Sequence, residues 1–306
     1  MIAFVLSGGG NRGALEVGAL QVLFEQGIRP QILVGTSAGA MNAAYIATNP
    51  TLEGAQELAE LWLKLTKEDV YPGNYLTMAW RLMRGKDSLF PNENLKRFVE
   101  AHMPPGVRCF GDIKGVRLYI TATNLNTCRL EIFGDDPSVP LIDALMASAA
   151  IPPYFPPWNY NGWQYVDGGV TANLAVDVAL ERGATEIYAI HVAGSERRPS
   201  VRGLLSIASQ SIAAMLSRQL SHELEEAASR PGVTIHYIKL EAFQNLSFWD
   251  FDHTAEMIEE GRRVMEGYLR SPEPLAAPRA LPRWVLQPIW RIEGWLDGLL
   301  VRKAEV

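Results

Sequence analysis

Ile32-Leu33-Val34-Gly35-Thr36-Ser37-Ala38-Gly39 runs directly into an alanine-rich stretch, residues 40–47. An apolar run this short that ends in glycine predicts a buried strand from Ile32 to Val34, and the small residues after it predict a helix from Ala40 to Ala47. G-x-S-x-G on a strand-to-helix turn is the pattern of a nucleophile elbow. Gly35 and Gly39 let the chain turn sharply and clear space around Ser37. The Ser37 hydroxyl then projects at a helix N-terminus, where partial positive charge favours a developing oxyanion.

A second glycine loop precedes this one. Ile2 to Leu6 predicts the first strand, and Gly8-Gly9-Gly10-Asn11-Arg12-Gly13 follows it and opens a helix near Ala14. Gly8, Gly10 and Gly13 fit G-x-G-x-x-G, so a dinucleotide-binding Rossmann unit is a rival reading. That reading requires an acidic residue about 20 positions on, to hold the ribose hydroxyls. No Asp or Glu occurs between Glu25 and Glu53, which counts heavily against it. The first two strands of a parallel sheet end on one edge, so the glycine loop and the elbow can meet there. Backbone N–H groups of Gly9, Gly10 and Asn11 are then candidates for an oxyanion hole. Arg12 either adds positive charge beside that hole or pairs with an acidic neighbour and holds the loop.

Strands alternate with helical patterns along most of the chain, which predicts a mainly parallel sheet wrapped by helices. Further strands are expected at Val116 to Thr123, Arg129 to Phe133, Glu186 to Val192 and Val233 to Leu240. Asn124-Leu125-Asn126-Thr127 reads as a hairpin turn. Helices are expected at Leu15 to Gln26, Leu52 to Leu65, Gly203 to Ala228 and Thr254 to Leu269. Tyr71 to Pro91, rich in aromatics, Met and Gly, reads as an insertion over the sheet. A domain of residues 1–270 is expected, followed by a Pro-rich linker and amphipathic tail at 271–306. In that tail Val285, Ile289, Ile292, Leu296, Leu299 and Leu300 share one helical face.

The composition, 48% apolar and 20% charged, is that of an ordinary folded enzyme. A formal net charge of -6 argues against nucleic acid as a partner. Two cysteines, Cys109 and Cys128, make neither a disulfide framework nor a zinc site. The N-terminal apolar run lacks a charged n-region and ends within six residues, so a cytoplasmic protein is expected. No window reaches the length of a membrane-spanning helix.

A serine hydroxyl needs a neighbouring base. Val166-Asp167-Gly168-Gly169 offers one at a tight bend, although an isolated Asp-Gly is more often a plain turn. The histidines, His102, His191, His222, His236 and His253, leave a Ser-Asp-His order open. None lies in a glycine-rich loop, and His191, His222 and His236 fall inside expected strands or a helix.

Taken in order, Gly8 to Gly13, Gly35 to Gly39 and Asp167-Gly168-Gly169 resemble the three signature motifs of the patatin-like phospholipases. Ala147-Ser148-Ala149-Ala150-Ile151-Pro152-Pro153-Tyr154-Phe155-Pro156-Pro157 resembles the family's Ser/Ala-x-Pro-x-x-Phe block ahead of the aspartate. The match runs from Ile2 to about Val192 and fades after about residue 200. Gly169 stands where many relatives carry Ala. The resemblance implies a three-layer α/β/α fold with a central, mostly parallel sheet, to which the sequence adds a C-terminal helical tail. It implies a serine esterase acting on acyl esters of lipids through a Ser37-Asp167 dyad, with Gly9, Gly10, Asn11 and Arg12 about the oxyanion hole. It implies no cofactor and no metal. Alternatives are a lipid transacylase on the same scaffold, a Rossmann-type nucleotide binder and a catalytically idle regulatory domain. For the tail, packing on the enzyme body or across a dimer is the reading slightly preferred over contact with a membrane; such contact is assigned to 284–300 or to 71–83, and oligomeric state is left open.

Overall fold

Side chains alternate across β1 (Ile2–Leu6): Phe4 and Leu6 enter one apolar core, while Ala3 and Val5 enter the other. Successive residues of a strand point to opposite faces, so one strand feeds both layers. The structure, a computed structural model, describes residues 1–193 and 202–276. After β1 come α1 (Gly13–Glu25), β2 (Ile32–Thr36), α2 (Ala38–Thr48), α3 (Leu52–Lys64), α4 (Lys67–Val70), α5 (Tyr75–Met83) and α6 (Glu93–His102). There follow β3 (Arg117–Asn124), β4 (Arg129–Phe133), α7 (Leu141–Ser148), β5 (Trp158–Tyr160), β6 (Trp163–Asp167) and α8 (Val176–Glu181). β7 (Glu186–Val192), α9 (Leu204–Ser229), β8 (Thr234–Leu240) and α10 (Thr254–Arg270) complete the order. Residues of α1, α2, α3 and α10 close the core on one face, and residues of α8 and α9 close it on the other. This is the expected three-layer α/β/α arrangement. The tail proposed at 284–300 lies outside the described residues.

The sheet order is β5-β6-β3-β2-β1-β7-β8, with β4 also paired to β3. β3, β2, β1, β7 and β8 run parallel, whereas β4, β5 and β6 make antiparallel pairs at one end. The predicted turn between β3 and β4 forms through Asn124, whose Oδ1 accepts the amides of Asn126 and Thr127.

β3 acts as a ruler for the rest. Thr36, at the end of β2, pairs with Thr121. Asp167, at the end of β6, pairs with Ala122. β4 occupies the opposite edge across Ile120–Asn124, so β2 and β6 must share one edge. They run toward each other along it and stop one residue apart. The residues that leave those strand ends are Ser37 and Asp167.

Candidate active site

Ser37 sits in a backbone conformation that side-chain-bearing residues seldom adopt, with φ 56° and ψ −122°. Such a conformation costs about 1–3 kcal/mol and persists only where the surroundings fix it. Three hydrogen bonds do so. The Ser37 amide donates to Ser148 Oγ at 2.8 Å, Gly39 N donates to Ser7 O at 3.1 Å, and Ala40 N donates to Ser37 O at 2.9 Å. A Cβ on Gly39 would lie 2.5 Å from Ser7 O, so the elbow can pack on the first loop only with glycine there. Gly35 is buried within β2, two residues before Ser37.

Asp167 arrives from the opposite direction. Its amide donates to Ala150 O at 3.0 Å, and its Oδ1 accepts the Gly169 amide at 2.7 Å. Burial pushes the carboxyl up to about 6, against the Ser37 hydroxyl and the Gly169 amide, which favour the charged form. Ser37 approaches the carboxyl without completing a hydrogen bond of standard geometry. Oδ2 is buried and has no partner among the described residues.

In the glycine loop, Gly10–Arg12 form a single 3-10 turn. None of the described hydrogen bonds uses the amides of Gly9, Gly10 or Asn11, while Arg12 N donates to Gly9 O at 3.3 Å. Gly8 is tied down by Asn173, whose Oδ1 accepts Gly8 N at 3.1 Å and whose Nδ2 donates to Gly8 O at 3.3 Å. The Asn11 side chain faces away from this role. Its Nδ2 donates to Ser247 O at 2.9 Å and to Asp250 O at 2.5 Å, clamping the connection between β8 and α10 over the loop. Arg12 Nη1 donates to Ala193 O at 2.9 Å, at the end of β7. Arg12 thus holds the loop through a carbonyl; the described residues give it no acidic partner. Burial lowers its pKa.

Beneath both loops lies a buried polar network. Glu16 on α1 accepts Ser7 N at 2.9 Å through Oε1 and Asn42 Nδ2 at 3.0 Å through Oε2. Asn42 also donates to Gly13 O at 3.0 Å and accepts Trp62 Nε1 at 2.8 Å. Ser7 Oγ accepts Val192 N at 2.8 Å. Burial pushes the Glu16 carboxyl up to about 8, outweighing the Asn42 and Ser7 donors. This set joins the glycine loop to the helix that carries the elbow.

A cavity of about 140 Å³ opens at Ser37 and Gly10 and runs between α2, α3 and α6 toward His102. Met41, Leu58, Trp62, Leu65, Val99 and Phe155 give it an apolar wall, the surface an acyl chain requires. His102 lines its far end. His191 bonds Tyr237 Oη at 2.7 Å, His236 bonds Tyr268 Oη at 2.8 Å, and His253 bonds Asp250 Oδ1 at 3.0 Å. No described hydrogen bond joins a histidine to Ser37 or Asp167.

The sequence pattern of the patatin-like phospholipases matches residues 4–180 of the 306. The chain belongs to the patatin-like phospholipase family. An uncharacterized protein, YqhO of Bacillus subtilis, is 25% identical over 293 residues, covering 87% of this chain and 97% of its own. Lysophospholipase NTE1 of Saccharomyces cerevisiae is 25% identical over 298 residues, 88% of this chain, which spans only 17% of the yeast protein. Among solved structures, VipD from Legionella pneumophila is 17% identical with a TM-score of 0.49, covering 90% of this chain and 68% of that one.

Patatin-like motifs carried the loops and strand ends, but not what braces them. Ser148 and Ala150 lie inside the quoted block ahead of the aspartate, and the structure joins one to Ser37 and the other to Asp167. Glu16, Asn42 and Asn173 carried no motif. The roof over the glycine loop was signalled only by Phe248-Trp249-Asp250-Phe251, an aromatic run outside any periodic segment. Phe248 lies against Gly10, and Phe251 lines the cavity.

Proposed function

We propose that this patatin-like protein is a lipid acyl hydrolase that works by two-step acyl transfer. Asp167 takes the Ser37 proton as Ser37 Oγ attacks the ester carbonyl. The amides of Gly9, Gly10 and Asn11 receive the oxyanion, and the alcohol or lysolipid leaves with the proton. Water, deprotonated by Asp167, then releases the fatty acid and restores the serine. The observation that carries this reading is the meeting of Ser37 and a buried carboxylate at the mouth of an apolar cavity, with Asp167 raised to about 6. A base raised toward neutrality is better matched to its task than a solvated carboxylate. Family membership and the yeast relative's name as a lysophospholipase favour glycerolipid esters as the substrate class. The lipid is reached by peripheral contact with a membrane.

A serine-directed fluorophosphonate and a lipid panel test the reading together. Wild-type protein should be labelled and should release fatty acid from phospholipid or lysophospholipid, as read by mass spectrometry. Ser37→Ala should do neither while unfolding at nearly the same temperature. Labelling that persists in Ser37→Ala removes Ser37 as nucleophile. Transfer of the acyl group to an added alcohol in preference to water would favour the transacylase instead.

A further inference from the structure

Helix α5 is built inside out. Leu82, Tyr75, Ala79, Met83, Leu76 and Trp80 follow one another around an arc of about 160° at 100° per residue, and all six are exposed to solvent. Tyr75 is 76%, Leu76 80% and Met83 79% exposed. The inward face holds Met78, which packs on the aromatic core with Tyr71, Phe90 and Phe155. It also holds Arg81, which donates to Ser88 O at 3.1 Å and Ser88 Oγ at 2.9 Å. A surface helix ordinarily turns its polar face outward; this one fixes its arginine inside and its large apolar side chains outside.

The surroundings point to what covers that face. Val70, Tyr71 and Phe155, in the cluster that seats α5, also line the Ser37 cavity, so the helix stands beside the site. Arg84 and Lys86 follow at its C-terminus, both exposed, and the Arg84 guanidinium lies 5.0 Å from the Trp80 ring centroid. Asp87 is the one acid between Asp69 and Glu93. The segment is thus locally basic in a chain of net charge -6, which disfavours a second copy and suits anionic head groups. A tryptophan beside an arginine, above exposed Leu and Met, is the composition of an interfacial helix.

We infer that α5 docks the protein on a bilayer surface containing anionic lipid, its outward face entering the head-group–acyl boundary with Arg84 and Lys86 at the phosphates. The inference rests on the lipid-hydrolase reading, which it supplies with the place where substrate is met.

Full-length Ser37→Ala protein, which leaves lipid intact, is sedimented with vesicles of phosphatidylcholine and with vesicles also containing phosphatidylglycerol. It should bind the anionic vesicles more tightly and lose binding as salt rises. Leu76→Asp/Met83→Asp should weaken vesicle binding by on the order of tenfold or more. In an otherwise wild-type chain the same pair should leave soluble-ester turnover within about twofold, because neither side chain touches the cavity. Arg84→Glu/Lys86→Glu, which reverses two exposed charges and removes only the Arg84 contact with Trp80, should cost anionic binding even if the first variant folds poorly. Unchanged vesicle binding by both variants overturns the inference, as does a dimer that Leu76→Asp/Met83→Asp dissolves while vesicle binding is kept. Vesicle binding that depends on α5 in a protein with no turnover on any ester retains the docking surface and defeats the hydrolase reading.

Discussion

The backbone amide of Ser37 donates to the hydroxyl of Ser148 at 2.8 Å, with both residues buried. Two residues further along, Ala150 accepts the amide of Asp167. The C-terminal end of α7 and the two residues after it therefore hold both strand ends, so their composition matters to the pair.

Ser148→Ala removes the acceptor of a buried amide, at about 1–3 kcal/mol. In urea unfolding the loss should fall in that range, with m unchanged. Soluble-ester kcat should drop about tenfold with KM nearly constant, as for a residue that positions the proposed nucleophile. A kcat equal to wild type would show that the elbow holds its shape without this bond.

As the proposed base, Asp167 must be ionised to accept a proton, and burial raises its pKa to about 6. The kcat/KM of soluble-ester hydrolysis should therefore be flat above pH 7 and fall as pH drops through about 6, approaching tenfold per unit. Asp167→Asn should remove that limb along with most of the rate. A limb centred near 4 would mean that the carboxyl is solvated in the working enzyme.

Glu16 is raised to about 8 by burial. Its folded form binds a proton more tightly than the unfolded chain, so its contribution to stability is full below about 4.5 and is lost as pH rises through about 8. The slope approaches about 1.4 kcal/mol per pH unit between those limits. Urea midpoints of wild type should decline from pH 5 to 8, and Glu16→Gln should flatten that decline. Gln offers one acceptor oxygen where Glu16 uses two, one for Ser7 N and one for Asn42 Nδ2, so the variant should also lose activity. Parallel pH profiles for the two proteins would place the titration elsewhere.

Among the described hydrogen bonds, none joins a histidine to Ser37 or Asp167. His191→Ala, His222→Ala, His236→Ala and His253→Ala should each keep soluble-ester turnover within about tenfold, whereas loss of a general base typically costs about 10²-fold or more. A larger drop at one of them, in a folded protein, restores a triad.

Gly10 has φ +60°, and a Cβ there would lie 2.6 Å from the Phe248 ring. Gly10→Ala strains the backbone and displaces the ring that roofs the loop, so it should cost at least 10²-fold in kcat/KM. Near-normal kinetics would exclude the Gly10 amide from oxyanion binding.

The parallel strands were legible because each is a short apolar run bounded by glycine or polar residues; Ile2–Leu6 and Glu186–Val192 form with the expected limits. Trp158 to Asp167 was not read as a hairpin, although Asn161-Gly162 is a strong turn pair and both residues have positive φ. Its strands are short, β5 lies at the sheet's edge, and β6 lacks clean alternation. The loops of the site were legible since glycines and a serine in fixed order carry local geometry. The bracing by Ser148, Glu16 and Asn173 was not, because a lone polar residue in an apolar helix or loop states no partner. Partners here are set by which strand neighbours which, and that is a property of the whole sheet.

The ruler formed by β3 has a practical consequence for anyone who rebuilds this chain. Because Ser37 and Asp167 are placed by adjacent pairings, Thr36 with Thr121 and Asp167 with Ala122, their separation is counted in ladder rungs. Residues 134–140 lie before the Ser148–Ala150 brace and outside the β3 ladder with β2 and β6. Val139 and Pro137 accept the amides of Phe110 and Gly111, so changes there leave the rung count of the pair intact while costing those local bonds. One residue inserted between Thr121 and Asn124, or between Tyr165 and Asp167, shifts the count and turns the carboxylate to the other face of the sheet. An insertion in the first of these regions spares the count, and one in the second does not.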